Sequence, residues 1–388
     1  MYQFPVENLR ITDCDNSGKE LTLLLSFLPN LSTLRVESCE NITALGVVEH
    51  AETVSGEQQQ QQTRGDEEII TGVAAAAQGL LLLPPQLQEF EILKCKKVSL
   101  LSNPLHDDNH NAGAAGEGSG GGLHHLHSLH VLRVDHCPEF LSSYSSSSFS
   151  PFPACLQHLD LRDVKRINTL QILSNLTSLT ELSLIKEVVS RSCKLLGLET
   201  HYDMGFLAAP ICSLFSSTLT KLGLSGYNKV ECFTQEQEEA LQLLTSLQDL
   251  QFSWTRNLQR LPAGLHKLTN LKKLEIMESP SIQSLPSLPS SLQELEIQFC
   301  NAIKSLPNSL PGSLKKLVIG YCDVIKSLPR SFPDSLEKLT ITSCHAIKSL
   351  PKDGLPTSVW ELDIHASNSE ELKRECRKLI GTIPIIRV

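Results

Sequence analysis

An α/β solenoid with a parallel β-sheet on its concave side is the fold the sequence predicts, and three observations carry it. A frame, L-x-x-L-x-I-x-x-C, returns about every 22 residues. Inside the frame apolar and polar residues alternate with period two, which is a strand pattern. After the frame comes a limb containing S-L-P, where proline is tolerated because no ladder N–H is required of it.

The clearest copies are "LQELEIQFCNAIKSLP" from Leu292, "LKKLVIGYCDVIKSLP" from Leu314 and "LEKLTITSCHAIKSLP" from Leu336. Looser copies start at Leu271 and Val359. Farther back the frame starts at Val6, Leu31, Leu87, Leu129, Leu156, Leu179, Leu219 and Leu247, giving about thirteen units. Period and frame are those of a leucine-rich repeat. The expectation is a horseshoe with a parallel concave sheet, mostly irregular convex limbs and a short C-terminal capping helix.

Each element follows from the frame. Leu339 and Ile341 point to one face of a short strand, while Lys338, Thr340 and Thr342 point to the other. One such strand cannot bury its face alone, but a stack can. Cys14, Cys39, Cys95, Cys137, Cys300, Cys322 and Cys344 share one slot, where the strand turns inward. A small, weakly polar side chain there packs in the core and meets turn backbone. Zinc wants four converging ligands, and a ladder presents them in a line.

The units divide into irregular repeats over 1–246, regular repeats over 247–366 and a C-terminal cap over 367–388. Low-complexity inserts interrupt the first part at about 40–86, 102–124 and 141–153, with glutamine, glycine and serine runs too poor in apolar residues to order themselves. "TQEQEEALQLL" predicts a short convex helix. "SNSEELKRECRKLIG" predicts the capping helix, with Ser367 and Glu370 as a capping box, Leu372, Cys376, Leu379 and Ile380 on one face, and Gly381 as the stop. Val6, Leu9 and Ile11 are already in repeat register without a covering element, so the chain reads as the C-terminal portion of something larger.

Composition narrows the function. A net charge of −9 argues against nucleic acid or an anionic membrane as partner. No apolar run approaches the roughly 20 residues of a membrane span, and no signal peptide is visible, so the twelve cysteines read as reduced cytosolic thiols. "GEGSGG" at 116–121 matches G-x-G-x-x-G only formally, lacking a strand before it and a helix after. His124, His125, His127, His130 and His136 gather in one stretch, as a transition-metal site or as a polar loop entering a strand. No catalytic arrangement and no cofactor site can be nominated.

What remains is surface. Trp254, Phe299 and Tyr321 stand just before the cysteine slot, with Met277 one place earlier in its repeat. Exposed aromatics are enriched at binding hot spots; the alternative is that they tuck over neighbouring turns. Glu296 and Lys316 belong to a mixed-charge face beside them, suited to specific protein recognition.

The units from 271 to 358, with the ending "ELKRECRKLIGTIPIIRV", resemble the C-terminal leucine-rich-repeat region of plant coiled-coil nucleotide-binding immune receptors. The family commonly ends in a "LKERCRK"-like helix and an "IP-x-I" strand, matched at Leu372–Lys378 and Ile383–Ile386. The resemblance implies a cytoplasmic, non-enzymatic module that senses a pathogen effector or a guarded host protein, or holds a nucleotide-binding domain inactive. The family's own nucleotide-binding domain has no counterpart in this sequence. A second reading is the substrate-recognition subunit of a ubiquitin ligase, since "LRVESCENITALGV" at 34–47 resembles repeats of F-box proteins.

Overall fold

The computed structural model describes residues 4–47, 78–101, 122–144, 150–165, 172–173, 175–185, 207–226, 230–364 and 368–388. The glycine-rich stretch at 116–121, most of the glutamine insert and Ser367 lie outside these residues. The chain forms two compact units, 1–179 and 180–388. The boundary read from the sequence at 246/247 falls inside the second.

In the first unit the elements run β1 (Asn8–Thr12), α1 (Gly18–Ser26), β2 (Thr33–Glu37), β3 (Ala44–Val47), β4 (Leu80–Leu83), β5 (Glu89–Leu93), β6 (Ser99–Leu100), β7 (Val131–Asp135) and β8 (His158–Arg162). Strands β1, β2, β5, β7 and β8 pair side by side, all parallel. The register aligns Leu9, Leu34, Phe90, Leu132 and Leu159 in one row and Ile11, Val36, Ile92, Val134 and Leu161 in the next. In the second unit β9 (Glu181–Ile185), α2 (Ala209–Leu214), β10 (Lys221–Ser225), α3 (Gln235–Gln242), β11 (Asp249–Ser253), β12 (Lys273–Met277), β13 (Glu294–Gln298), β14 (Lys316–Gly320), β15 (Lys338–Thr342), β16 (Glu361–Asp363), α4 (Glu370–Arg377) and β17 (Ile385–Arg387) follow. Strands β9 to β17 each pair in parallel with the next. Each of the thirteen units read from the sequence contributes one strand, and both units are leucine-rich-repeat solenoids.

Burial explains the pattern. Leu295 and Ile297, Leu317 and Ile319, Leu339 and Ile341 are completely buried, and the residues between them face out. Burying each such side chain is worth ~1.5–3 kcal/mol. The return from limb to strand is also fixed. Leu292, Leu314, Leu336 and Val359 each donate their N–H to the carbonyl of a proline three residues earlier, at 3.0–3.2 Å. The serine before each of them adds a bond between repeats. Ser291, Ser313, Ser335 and Ser358 donate to Leu271, Leu292, Leu314 and Leu336 carbonyls at 2.6–2.8 Å.

Three regions differ from the sequence reading. Strands β3 and β4 lie within 40–86 and, with β6, form a second parallel sheet in the order β4-β3-β6. Leu45, Leu81, Leu83 and Leu100 are fully buried there, so the ends of that insert carry repeat-like core. Helix α1 follows the first cysteine slot and is closed by a capping box between Ser17 and Glu20. Helix α4 is capped by Ser369, not Ser367: its hydroxyl accepts from the Leu372 N–H at 3.2 Å and donates to the Ile347 carbonyl at 2.8 Å. That second bond ties the helix to the repeat before it, which selects the later serine. Leu372 and Cys376 are buried beneath α4, whereas Ile380 is exposed beyond its end, where Gly381 takes φ +94°. Helix α3 forms as expected, on a Thr234–Gln237 capping box.

Outward-facing charges cross-link the first unit. Glu37 receives Lys94 and Arg10, each at 2.9 Å, and Arg35 at 3.4 Å. Arg35 also reaches Glu91 at 2.9 Å, and Arg133 closes on the same carboxylate. The Lys94 and Arg10 hydrogen bonds hold the Glu37 carboxyl down at about 2. A depressed folded-state pKa contributes stability that is present above the ordinary value near 4.5 and is lost as pH falls toward 2. Urea midpoints of Glu37→Gln should therefore lie below those of the unaltered chain at pH 7, and the difference should shrink between pH 4.5 and pH 2. A gap constant across that range would contradict this role for Glu37.

Candidate functional site

Where each strand ends, the chain must turn into the core within one residue. Among the described residues ten non-glycine positions have left-handed φ between +49° and +59°: Asp13, Ser38, Lys94, His136, Asp163, Trp254, Glu278, Phe299, Tyr321 and Ser343. All sit immediately after a strand of the long ladders. Gly226, at φ +76°, fills the same slot after β10. A left-handed residue costs ~1–2 kcal/mol when it carries a Cβ. The turn recovers part of this through its own amide. Trp254, Glu278, Phe299 and Tyr321 donate N–H to the carbonyls of Met277, Gln298, Gly320 and Thr342, the last strand residue of the next repeat, at 2.8–3.1 Å.

The next residue completes the turn. The Cys300, Cys322 and Cys344 thiols donate to the carbonyl two residues back at 3.2–3.4 Å and approach a strand carbonyl of the preceding repeat at 3.6–3.8 Å. Burial pushes these thiols up to about 11, 12 and 11, so they are poor nucleophiles. A hydroxyl serves as well: Thr255 and Ser279 occupy the slot in their repeats, 2.7 Å apart and fully buried. One repeat after the last cysteine of the ladder slot, Asn368 accepts from the Cys344 N–H at 2.9 Å and donates to the Ile341 carbonyl at 2.7 Å.

With the backbone turned inward, the side chain of the left-handed residue is left on the rim of the sheet. Phe299 and Tyr321 stack there, ring centroids 4.3 Å apart and planes within 5°. Trp254 and Phe299 keep 38% exposure and Tyr321 42%. The rings therefore cover one another and the rim without sinking into the core. Glu278 stands between Trp254 and Phe299 in the same column, its carboxyl raised by partial burial against the opposing pull of Arg256.

The remaining sequence candidates take different places. Met277 ends β12, half-buried, its sulfur 3.9 Å from the Gln251 amide. Glu296 sits in the middle of β13 and accepts the Gln298 amide, whose chain lies across Gly320. Lys316 opens β14 and pairs with Glu294 at 3.3 Å. It stands four residues from Gly320, roughly 13 Å along a strand, so the ring pair and Lys316 mark opposite margins of the face. The histidines do not converge as a ligand set: His136 bonds Asp135 at 2.7 Å, His125 and His127 meet edge to face with ring centroids 6.4 Å apart, and burial lowers the pKa of His124. Among the described residues no group of three or more His, Cys, Asp or Glu is placed to hold a metal ion, and no helix is long and apolar enough to cross a membrane.

Fold and rim together define a leucine-rich-repeat protein with a solvent-exposed aromatic margin. No family model matches the chain. It is similar to the disease resistance-like protein DSC1 of Arabidopsis thaliana, 30% identical over 118 residues, which is 30% of this chain and 9% of that protein. Disease resistance protein RPS4B of Arabidopsis thaliana is 29% identical over 110 residues, 25% of this chain and 9% of that protein. The chain thus spans about a tenth of these relatives' lengths in the matched region. Among solved structures, a chain of the Toll–Spatzle complex of Drosophila superposes with a TM-score of 0.51 and 14% identity, covering 94% of this chain and 44% of that one. The chain therefore resembles disease resistance proteins in sequence over the matched segments and a chain of the Toll–Spatzle complex in fold.

The left-handed slot is open to direct test at Glu278, which carries no ring. Glu278→Gly removes the Cβ clash and should raise the urea midpoint; Glu278→Val, β-branched at the same φ, should lower it by the equivalent of ~1 kcal/mol or more. Equal midpoints for the two variants would show that the turn is not strained.

Proposed function

We propose that the chain is the non-enzymatic protein-recognition part of a plant-type intracellular immune receptor, with its recognition surface in the regular repeats of 247–366. The partner is a protein: a pathogen effector, a guarded host protein, or a nucleotide-binding domain that the repeats hold inactive. Supporting this reading is the similarity to Arabidopsis disease resistance proteins. The single observation that carries it is the Phe299–Tyr321 stack held on left-handed backbone at the rim. Bulky residues are unusual at such φ values and persist where surroundings over-determine them, often at functional sites.

The geometry suits binding. The backbone under the rings is locked by the ladder, so little conformational freedom is left to lose on association. Each aromatic anchor can contribute ~2 kcal/mol or more once a partner excludes water from it. Trp254 and Met277 extend the apolar margin by two repeats, and Glu296 with Lys316 supply charges that select a complementary partner. A partner selected with the intact chain from a library of pathogen effectors and plant host proteins should bind Phe299→Ala/Tyr321→Ala at least tenfold more weakly, with the thermal midpoint nearly unchanged. Unaltered affinity in the double variant, or a midpoint lowered by several degrees, would contradict the assignment of these rings to recognition.

A further inference from the structure

The limbs of the regular repeats carry a second feature, away from the aromatic rim. Ile303, Ile325 and Ile347 are fully buried and pin the start of each I-K-S-L-P limb. The residues after them, Lys304, Lys326 and Lys348, are exposed, as are Ser305, Ser327 and Ser349. Lysine is not demanded by this position, because Gln259 and Gln283 fill it in the two preceding repeats. Lys304 and Lys326 have no ion pair among the described residues, and Lys348 meets only Glu371, at 3.5 Å between two exposed side chains. Such a pair is worth little and yields readily to a stronger anion.

Between the limbs 327–330 and 349–353 lies a cleft of about 450 Å³. Ser327, Arg330, Ser349 and Lys352 line it, with Asp353 as its one carboxylate. Neither Arg330 nor Lys352 has a side-chain hydrogen bond or ion pair among the described residues. The comparable cleft between 285–290 and 307–312, of about 560 Å³, is walled by leucine, proline, serine and one glycine, without any charged residue. The proline limbs therefore make the clefts, and the later repeat adds the charge.

We propose that the cleft between the limbs 327–330 and 349–353 is a binding site for a small ligand carrying two or more phosphate groups. Arg330 offers forked donors that match phosphate oxygens in pairs. Lys352 supplies a compact charge from the lining, Lys326 and Lys348 directly precede the lining serines in the chain, and the two serine hydroxyls supply neutral donors. The lining holds Arg330 and Lys352 against Asp353. Lys326 and Lys348 add charge beside it, opposed by Glu371 at Lys348 and by Glu375 on the Leu350 N–H, and the remaining excess of cations suits a multiply charged anion. The volume lies in the range of small-molecule sites. An extended acidic peptide fits less well, since the charged lining is confined to one cleft. Nucleic acid would call for stacking aromatics, of which the lining has none.

The site is independent of the rim, so its test does not depend on the proposed immune role. Sodium tripolyphosphate, titrated calorimetrically into the full chain in 0.1 M NaCl at pH 7, should bind at one site with Kd below about 100 µM. The variant Lys326→Gln/Arg330→Gln/Lys348→Gln/Lys352→Gln should bind at least tenfold more weakly, at an unchanged thermal midpoint. Arg330→Gln alone should give a measurable part of that loss, which keeps the test decisive if the quadruple variant folds poorly. Lys272→Gln/Lys315→Gln, on exposed residues at the strand entries, should bind as the unaltered chain does. Absence of binding, or binding retained by the quadruple variant, would overturn the proposal. Tighter binding of poly-L-glutamate or of anionic phosphatidylserine vesicles through the same residues would overturn it in favour of an acidic polypeptide or a lipid surface.

Discussion

Every repeat depends on how its strand is turned into the core and bonded to the next. The left-handed residue after the strand does both, since its φ redirects the chain within one step and aims its N–H at the last strand carbonyl of the following repeat. The cost, ~1–2 kcal/mol for each residue with a Cβ, exceeds or just matches the net ~0.5–1.5 kcal/mol of one hydrogen bond. The balance is carried by what the turn permits. It sets two strand side chains and the following cysteine or hydroxyl residue into the core, at ~1.5–3 kcal/mol for each large apolar side chain.

Once that turn is accepted, the other regularities follow as consequences. The thiol or hydroxyl after the turn spans two repeats by reaching carbonyls on both sides, as Cys322 does toward Gly320 and Ile297. The serine at the strand entry repeats the device at the opposite end of the strand, as Ser335 does toward Leu314. The side chain of the left-handed residue is pushed out to the rim, where its identity is free to serve recognition. Phe299 and Tyr321 stack because ladder register brings adjacent turns together, and nothing in the core requires rings there.

Much of this was legible in the sequence, and the failures have physical reasons. The leucine alternation located one strand in each of its thirteen units because two inward residues per strand admit little but Leu, Ile, Val and Phe. The cysteine slot was legible for the same reason. The left-handed conformation was not, because lysine, serine, tryptophan and tyrosine share the position and no composition marks it. Strand β4 escaped notice because Leu80–Leu83 follow an insert of glutamine and alanine and read as part of it. Helix α1 carries a Ser17–Glu20 capping box, but at nine residues it lies between two repeat frames and has no repeat signature of its own. For the α4 cap the sequence offers like side chains two residues apart, and Ser369 is the one that takes the Leu372 N–H and reaches the Ile347 carbonyl. For the candidate site, the spacing of Phe299 and Tyr321 foretold adjacent rings, whereas the separation of Lys316 from them depends on which end of the strand faces the turn.

Amide hydrogen exchange resolved residue by residue tests the central constraint most directly. If the left-handed turn bonds each repeat to the next, the N–H groups of Glu278, Phe299 and Tyr321 should exchange as slowly as the strand amides of Leu295 and Leu317. Exchange at these three positions as fast as at the exposed limb residues Ser305 and Ser327, with the strand amides still protected, would contradict it.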